Sequence, residues 1–416
     1  STQQLAAVLA ACNDAHVPVT AAGGRSGVCG ASVPVFGGVV LDTTALAGLG
    51  DVDEASGVVE VGAGTFGPDL ERDLRTEHGL TVGHFPQSFD LATVGGWVAC
   101  RGAGQYSTRY GKIEDMVAGL EVVLADGTVV RTGGAPAAAT GPDLTHLFTG
   151  SEGTLGVISR VWLRAHPLPD VERTAAYLFE SLVDGFEACR RILRRGATPA
   201  VLRLYDAEES ARGRGGDGTN CVLLVLDEGD ATIVDATMTV VASACERATP
   251  GDPDLVEQWK HHRNDTSALQ VLTRKGFVID TMEIAAPWSR LDAIASVTHE
   301  AILAVPHARA ASCHLSHSYL DGACLYFSFA ATPPPDERES TYVALWDAGQ
   351  RAVLAAGGNL SHHHGIGINR GRFAAEALGE AAHGVLRSLK AALDPHGILN
   401  PGKLGLPSPF GSAPWP

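Results

Sequence analysis

The sequence has no long apolar run and few basic side chains. No apolar stretch in its 416 residues approaches the length of about 18 residues that a membrane-spanning helix needs. Lysine and arginine number 31, against 47 aspartates and glutamates, so the formal charge is −16. Because nucleic acid and anionic membrane surfaces repel a protein of this charge, we expect neither as a partner.

Paired cysteines are also lacking. The eight cysteines are scattered without a CxxC spacing, at Cys12, Cys29, Cys100, Cys189, Cys221, Cys245, Cys313 and Cys324. This distribution is typical of a reduced compartment rather than of a disulfide-rich secreted domain. No charged leader precedes an apolar segment, so we expect a cytoplasmic protein without a signal peptide. The chain opens on a helix that Ser1 or Thr2 can cap, and we expect further residues upstream of it.

The length and a hydrophobic content of 45% predict two domains with sizeable cores. Residues 1–168 are rich in glycine, and short strands alternate there with loops. From about residue 169, helical and strand patterns alternate. We predict an α+β fold with a first domain over 1–168, a substrate domain over 169–395, and a C-terminal segment, 396–416, that returns to the first domain. The segment Leu120–Arg131 is a predicted hairpin with Asp126-Gly127 at its turn.

Three segments of small residues in the first domain can cradle an anion. They are residues 22–27, 93–96 and 152–158. Glycine lets backbone N–H groups approach a ligand without a Cβ in the way. Ordinary glycine-rich turns are the alternative interpretation of each segment alone, but together the three favour a long diphosphate-containing cofactor. The candidate cofactor-binding residues are Ala22, Gly23, Gly24, Arg25, Ser26, Gly27, His84, Pro86, Thr93, Val94, Gly95, Gly96, Glu152, Gly153, Thr154, Gly156, Val157 and Ile158.

A G-x-G-x-x-G match at residues 62–67 is a competing signal for a dinucleotide site. Such a site needs a second parallel strand that ends in an acidic residue about 20 positions later. Here Pro86 disrupts any such strand. We therefore interpret the match as a structural turn.

At the three segments the chain resembles the FAD-linked oxidases of the vanillyl-alcohol-oxidase superfamily. PVTAAGGRSGVCG is similar to the pyrophosphate loop of that family, and ATVGGWVACRGAGQYSTRYGKIEDMV and GPDLTHLFTGSEGTLGVI are similar to its second and third flavin segments. The resemblance implies a two-part FAD-binding domain of the vanillyl-alcohol-oxidase type with an α+β substrate (cap) domain. It also implies FAD and a small-molecule substrate. A homodimer is compatible with the sequence, which leaves the oligomeric state open. No histidine lies in the pyrophosphate loop, so we expect noncovalent FAD, although Cys100 and His84 leave covalent attachment open.

The second half resembles alkyldihydroxyacetonephosphate synthase. In that family the tyrosine matching Tyr326 is the acid/base, the histidines matching His362, His363 and His364 are needed for activity, and the arginine matching Arg203 belongs to the active region. The chain departs from that family at the substrate-phosphate arginine, where Leu269 stands. The C-terminal DPHGILNPGK is more similar to glycolate oxidase and D-lactate dehydrogenase.

The three adjacent histidines have two chemical interpretations. If their segment is a strand, His362 and His364 share one face and His363 takes the other. An imidazole that titrates near neutral pH can take a substrate proton. A metal site built from His314, His317, His362 and His364 is the rival interpretation. The relatives that hold a metal use an HxGDGNxH pattern, which is absent here, and we predict no metal.

Three functions fit these motifs. The first is an FAD-dependent dehydrogenase or oxidase that removes a proton from an alcohol or 2-hydroxy acid and passes a hydride to flavin N5, with Arg203 orienting an anionic group. The second is a synthase-like transferase that uses a flavin adduct without net redox change. The third is a flavin-binding protein whose active site has decayed. We favour the first.

Overall fold

The computed structural model describes residues 1–212 and 215–413. Its contacts divide the chain into two compact units. Unit 1 comprises Ser1–Gly104, Tyr110–Leu168 and His363–Pro416, and unit 2 comprises Gln105–Arg109 and Pro169–His362. The sequence-based division also changed at residue 168, but it placed the return to the first domain at 396 rather than at 363.

The strands follow one another along the chain as β1 (Val19–Ala22), β2 (Val39–Asp42), β3 (Leu49–Asp53), β4 (Val58–Gly62), β5 (Leu80–Thr81), β6 (Val117–Val123), β7 (Val129–Gly133), β8 (Val157–Arg164), β9 (His166–Pro167), β10 (Val171–Phe179), β11 (Val201–Tyr205), β12 (Cys221–Gly229), β13 (Thr249–Pro250), β14 (Val278–Pro287), β15 (Ala308–Ser318) and β16 (Gly322–Ala331).

The α-helices are α1 (Thr2–Asp14), α2 (Gly67–Asp73), α3 (Val94–Cys100), α4 (Ser107–Tyr110), α5 (Ile113–Met116), α6 (Leu144–Phe148), α7 (Leu182–Arg194), α8 (Ala207–Ala211), α9 (Ala231–Ala244), α10 (Asp254–His262), α11 (Ser267–Arg274), α12 (Leu291–Leu303), α13 (Arg338–Ala355), α14 (Ala374–Leu378) and α15 (Glu380–Leu393). Among the described residues, none of these helices is both long and apolar enough to span a membrane.

Unit 1 contains a five-stranded antiparallel sheet in the order β3-β4-β8-β6-β7 and a small parallel pair, β1-β2. The predicted hairpin is confirmed, because β6 and β7 pair antiparallel with Val123 opposite Val129. The C-terminal part of the chain joins β1, since the N–H of Val19 donates to the carbonyl of Ile398 at 2.8 Å. This contact places residues 398–400 beside the strand that precedes the pyrophosphate-loop candidate.

Helix α1 shows how local sequence sets an element of unit 1. The Ser1 hydroxyl accepts the N–H of Gln4, and the Gln4 side chain returns to the Ser1 backbone, which forms a capping box. Leu5, Leu9 and Cys12 follow at helical spacing and are buried. They pack in one core with Val19 and Leu399, so the helix stabilises the start of β1.

Unit 2 is built on an antiparallel sheet of seven strands in the order β13-β10-β12-β11-β15-β16-β14. Leu204, Leu315, Leu325 and Ile284 lie opposite one another on four successive strands and are buried in one core. Residues of α7, α9, α12 and α13 belong to the same core. Because side chains alternate along a strand, the neighbouring positions face the other side of the sheet, and that side carries polar groups.

Candidate active site

The first predicted cofactor segment is the loop between β1 and β2. Gly23 and Gly24 lie so close to residues 91–93 that a side chain would collide. A Cβ on Gly24 would lie 1.8 Å from the carbonyl oxygen of Leu91, and one on Gly23 would lie 2.3 Å from Thr93 Oγ1. Arg25 adopts a left-handed conformation with φ of 57°. The sequence therefore needs glycine at 23 and 24 for packing within unit 1.

The same loop presents unused backbone donors. The N–H groups of residues 23–27 donate to no acceptor in the described parts of the chain. A Cβ added to Gly27 would meet no atom within 4 Å. Successive backbone N–H groups in a turn form a concavity that binds anions. The loop thus fits the diphosphate of a cofactor such as FAD.

The second segment, Thr93 to Gly96, begins α3. Thr93 caps the helix, because its Oγ1 accepts the N–H of Gly96 at 3.4 Å. The N–H groups of Val94 and Gly95 donate to carbonyls of residues 65 and 63 at 2.9 Å and 2.7 Å. The expectation that this segment offers its backbone donors is therefore wrong for residues 94–96, because the cap and the turn after β4 already use them. Its remaining contribution is small side chains beside the first segment.

The third segment, 152–158, carries a buried carboxylate. Glu152 accepts the backbone N–H groups of Ile366 at 2.6 Å and Gly367 at 2.8 Å. Burial raises the pKa of the Glu152 carboxyl to about 7, and the two N–H donors act in the opposite direction. Both carboxylate oxygens are thus committed to the turn after the histidine triplet. Gly153 adopts a left-handed conformation with φ of 74°, and a Cβ there would lie at an ordinary contact distance of 3.7 Å from Ala21, just before the first segment.

The rest of the third segment serves the sheet of unit 1. Thr154 Oγ1 donates to the carbonyl of Ser151 at 2.7 Å. Val157 and Ile158 pair with β6, and Gly156 allows the close approach of Val122, which a Cβ would meet at 2.4 Å. These residues hold the segment in place.

His84 is a buried imidazole in the middle of unit 1. It has no exposed surface, and neither ring nitrogen has a hydrogen-bond partner among the described residues. Its ring centroid lies 4.6 Å from that of Trp97. Burial, helped by the charge of Lys112, lowers the pKa of His84 to about 3, so the ring is neutral. An unsatisfied buried polar group costs about 1–3 kcal/mol, and a cofactor that offers a partner would relieve that cost.

Two further positions in unit 1 bear on the flavin prediction. The carbonyl of Pro86 accepts the N–H of Phe89 at 3.0 Å, which forms a turn before α3. Burial raises the pKa of the Cys100 thiol to about 12, so this thiol is protonated at neutral pH. A protonated thiol is a poor nucleophile, which favours noncovalent FAD over attachment at Cys100.

Four polar residues form a row across the sheet of unit 2. Tyr205 lies opposite His314, His314 opposite Tyr326, and Tyr326 opposite Glu283. Directly paired residues share one face of a sheet. The rings of His314 and Tyr326 stack with centroids 5.0 Å apart. Arg203 shares this face, and its Nε donates to the Tyr205 hydroxyl at 2.7 Å.

Two arginines meet one indole near this row. The guanidinium carbons of Arg203 and Arg263 lie 6.0 Å and 5.5 Å from the ring centroid of Trp259. Arg263 also lies 5.2 Å from the ring centroid of Tyr106. Nη1 of Arg203 has no hydrogen-bond acceptor within the described residues. A planar guanidinium held in this way is suited to a carboxylate or a phosphate.

Tyr326 is a hydrogen-bond donor in this environment. Its hydroxyl donates to Thr281 Oγ1 at 3.0 Å. Burial raises the pKa of Tyr326 to about 12, with the Thr281 hydrogen bond lowering it and the Glu283 charge raising it. The phenol therefore stays protonated at neutral pH and can donate, but not remove, a proton.

The histidine triplet is not a strand, so the expected alternation of its side chains is wrong. Ser361 Oγ and the N–H of His362 both donate to one Glu283 oxygen, at 2.6 Å and 3.1 Å. Gly365 and Gly367 then turn the chain with φ of 81° and 52°. Residues 361–364 accordingly belong to none of the strands β1–β16.

The triplet residues belong to different units. His362 belongs to unit 2. Its Nε2 forms a hydrogen bond with the Tyr319 hydroxyl at 2.7 Å, and its ring stacks on that of His317 with centroids 5.0 Å apart. The rings of His363 and His364 belong to unit 1 and meet edge to face at 4.5 Å.

The four-histidine metal site is contradicted at His314. Nδ1 of His314 meets the Glu209 carboxylate at 3.0 Å and its Nε2 meets Arg203 at 2.5 Å, so neither nitrogen is left for an ion.

Sequence reasoning missed several residues of unit 2, namely Tyr205, Glu209, Trp259, Arg263, Glu283 and Tyr319, and it considered His314 only as a metal ligand. A signal existed only for Tyr205, which lies two positions after Arg203 on a predicted strand and so shares its face. The others come together through strand order and loops that a single sequence does not encode locally.

Comparisons with known proteins agree with these features. Residues 1–133 match the family model described as FAD binding domain, and residues 168–404 match FAD linked oxidases, C-terminal domain. The chain is 35% identical to an uncharacterized FAD-linked oxidoreductase, YgcU, of Escherichia coli K12, over 97% of this chain and 87% of that protein. It is 28% identical to alkyldihydroxyacetonephosphate synthase of Dictyostelium discoideum, over 94% and 69% of the two chains.

Two further likenesses bear on the branch of the family. Glycolate oxidase subunit GlcD of Bacillus subtilis is 27% identical over 97% of this chain and 87% of that protein. A solved structure of alkyldihydroxyacetonephosphate synthase superposes with a TM-score of 0.77 at 25% identity, over 95% of this chain and 74% of that one. The resemblance inferred from the motifs and the expected two-domain FAD-binding fold are confirmed. The chain belongs to the family of FAD-linked oxidases, and it is an FAD-dependent oxidoreductase.

Proposed function

We propose that the protein oxidises a small anionic hydroxy compound, of which a 2-hydroxy acid is the simplest example. The observation that carries this proposal is that Arg203, on the polar face that also bears Tyr326, shares the Trp259 ring with Arg263. A carboxylate bound by these guanidinium groups would present its neighbouring hydroxyl carbon to the polar row. The likeness to a glycolate oxidase subunit supports the same substrate class.

Three residues of unit 2 have separate roles in the proposed reaction. Arg203 would orient the anionic group through Nη1, its donor without an acceptor in the described chain. His362 would take the hydroxyl proton, since it is an imidazole held in place by Glu283 through its backbone and by Tyr319 through its ring. Tyr326 would turn its single phenol proton from Thr281 Oγ1 to the substrate oxygen, because its pKa of about 12 keeps the phenol protonated.

FAD supplies the hydride acceptor when it is bound. The amides of residues 23–27 would hold its diphosphate, and the buried His84 ring would supply or accept a hydrogen bond. The small residues at 93–96 and the backbone of residues 152 and 153 would border it. Noncovalent binding remains our proposal.

A synthase-like transfer reaction is the second candidate. It is favoured by the structural likeness to alkyldihydroxyacetonephosphate synthase and by the presence of Tyr326 and the histidine triplet. Against it, the position of the expected phosphate arginine holds Leu269, which is 39% exposed on α11. Arg274, at the end of the same helix, is also exposed.

The two candidates differ in whether the flavin is reduced. The purified holoprotein is mixed without oxygen with lactate, glycolate, sugars and dihydroxyacetone phosphate while its flavin absorbance is followed. A separate sample receives acylated dihydroxyacetone phosphate and a fatty alcohol. Bleaching by a hydroxy acid supports the oxidase proposal, and exchange of acyl for alkoxide without bleaching supports the transferase.

A decayed active site is tested by His364→Ala. If the site is active, this substitution lowers turnover with whichever substrate reacts. A decayed site would show no turnover in either protein.

A further inference from the structure

Arg203 is held by a second pair of polar side chains that the reaction itself does not require. Its Nη2 meets His314 Nε2 at 2.5 Å, and the other ring nitrogen, Nδ1, meets both oxygens of Glu209 at 3.0 Å and 3.1 Å. His314 is 3% exposed, so this chain of contacts is buried. It links a carboxylate, an imidazole and a guanidinium in one line.

The chemistry of the three groups fixes the direction of both hydrogen bonds. A guanidinium has only donors, so His314 Nε2 must accept from Arg203. The ring proton then lies on Nδ1, where it donates to Glu209. His314 is therefore a neutral acceptor, held in one tautomer by the carboxylate behind it.

The local sequence builds this arrangement in a few residues. Asp206 follows β11 and caps α8, since one of its carboxylate oxygens accepts the N–H of Glu209 at 2.7 Å. The other oxygen accepts the N–H of Cys313 on β15 at 2.5 Å. Asp206 thus ties α8 to β15, which sets Glu209 beside His314.

We propose that Glu209 and His314 are positioning residues that aim Arg203 at an anionic substrate. Tyr205 holds Nε and His314 holds Nη2, so the guanidinium plane is fixed and Nη1 points to the ligand. The bound chemistry is a carboxylate or a phosphate monoester. This inference rests on the proposed function only for its substrate, since anion binding can be measured without turnover.

The test replaces His314 in two ways. His314→Phe keeps an aromatic ring against Tyr326 but removes the acceptor, whereas His314→Gln can accept from Arg203 and donate to Glu209. In the FAD-loaded protein, calorimetry measures the binding of oxalate and of inorganic phosphate. We expect His314→Phe to weaken the tighter-binding anion by at least about tenfold, and His314→Gln to stay within about threefold of the parent, since a charge-assisted hydrogen bond is at stake.

Two controls separate positioning from a general structural effect. In an Arg203→Met background, His314→Phe should weaken anion binding no further, because it acts through the arginine. With lactate and propane-1,2-diol as matched substrates, the KM for lactate should rise about tenfold while its kcat and the KM for the diol change by less than about threefold. If His314→Phe does not fold, Glu209→Gln is measured instead, with an expected loss in anion affinity of about three- to tenfold.

Several results would overturn the inference. They are a parent protein that binds neither anion, unchanged affinity in His314→Phe, an equal loss in the Arg203→Met background, and His314→Gln no better than His314→Phe. Failure of the proposed function has a different signature. In that case the anion-binding pattern holds, but no hydroxy acid reduces the flavin.

Discussion

Gly24 and Gly27 lie in one loop, and the structure predicts opposite consequences for replacing them by alanine. A Cβ at Gly24 would lie 1.8 Å from the carbonyl oxygen of Leu91, so backbone must move. Overpacking of this kind costs about 1–3 kcal/mol or more. A Cβ at Gly27 meets nothing within 4 Å, and its φ lies outside the left-handed region. There the substitution should leave the apoprotein unchanged or stabilise it by about 0.4–1 kcal/mol.

Gly27→Ala should weaken the binding of FAD although it does not destabilise the apoprotein. If the open space at Gly27 receives the FAD diphosphate, the added methyl group displaces it from one N–H donor. Each charge-assisted hydrogen bond is worth about 1.5–3 kcal/mol, so the Kd for FAD should rise by about 10- to 100-fold.

The assay is urea unfolding of the apoprotein together with FAD titration followed by flavin fluorescence. Gly384→Ala on α15 is the matched control, since its Cβ would meet only an Arg387 nitrogen at 3.7 Å. It should affect neither FAD affinity nor the folding of the loop. Normal FAD affinity in Gly27→Ala, or an apoprotein as unstable as Gly24→Ala, would refute the reasoning.

Three other predictions follow from buried groups. Glu152→Gln should remove a pH dependence of the free energy of unfolding. Folding raises the pKa of the Glu152 carboxyl from 4.5 to about 7, so the folded parent protein binds more protons than the unfolded one between these pH values. The free energy of unfolding of the parent therefore falls by roughly 2–4 kcal/mol as the pH rises through this window. Urea titrations of both proteins across this window measure the difference, and equal slopes would contradict the assignment. Tyr326→Phe should lower kcat by about 10- to 100-fold and leave the pH dependence of kcat below about pH 10 unchanged, because a phenol with a pKa of about 12 does not titrate there. Loss of an ionisation near neutral pH from the pH–rate profile would contradict this role for Tyr326. Glu283→Gln should raise hydrogen exchange at residues 361–364, since the pairing with Ser361 and His362 weakens; unchanged protection by mass spectrometry would rule out this anchor.

Local features of the fold were predictable from the sequence. The Asp126-Gly127 turn between two β patterns gave the β6-β7 hairpin, because its residues carry the turn chemistry themselves. The Ser1 cap of α1 was readable for the same reason. The glycines at 23 and 24 were singled out as positions where backbone approaches an anion, whereas the structure shows a packing need at both, against Thr93 and Leu91.

What was missed depends on partners far away in the chain. Glu152 is committed to residues 366 and 367, more than 200 positions later. The amides of Val94 and Gly95 are used by the turn after β4, which a motif alone does not reveal. The row from Tyr205 to Glu283 exists because β11, β15, β16 and β14 are neighbours, and strand order is not a local property.

The flavin absorbance of the FAD-loaded protein, followed without oxygen after mixing with lactate or glycolate, tests the central claim most directly. The account predicts that at least one 2-hydroxy acid bleaches the flavin and that Arg203→Met slows this bleaching by about 100-fold at low substrate, because the anion loses its guanidinium partner. The account would be contradicted if the flavin stayed oxidised with every hydroxy acid while the protein exchanged the acyl group of acylated dihydroxyacetone phosphate for an alkoxide.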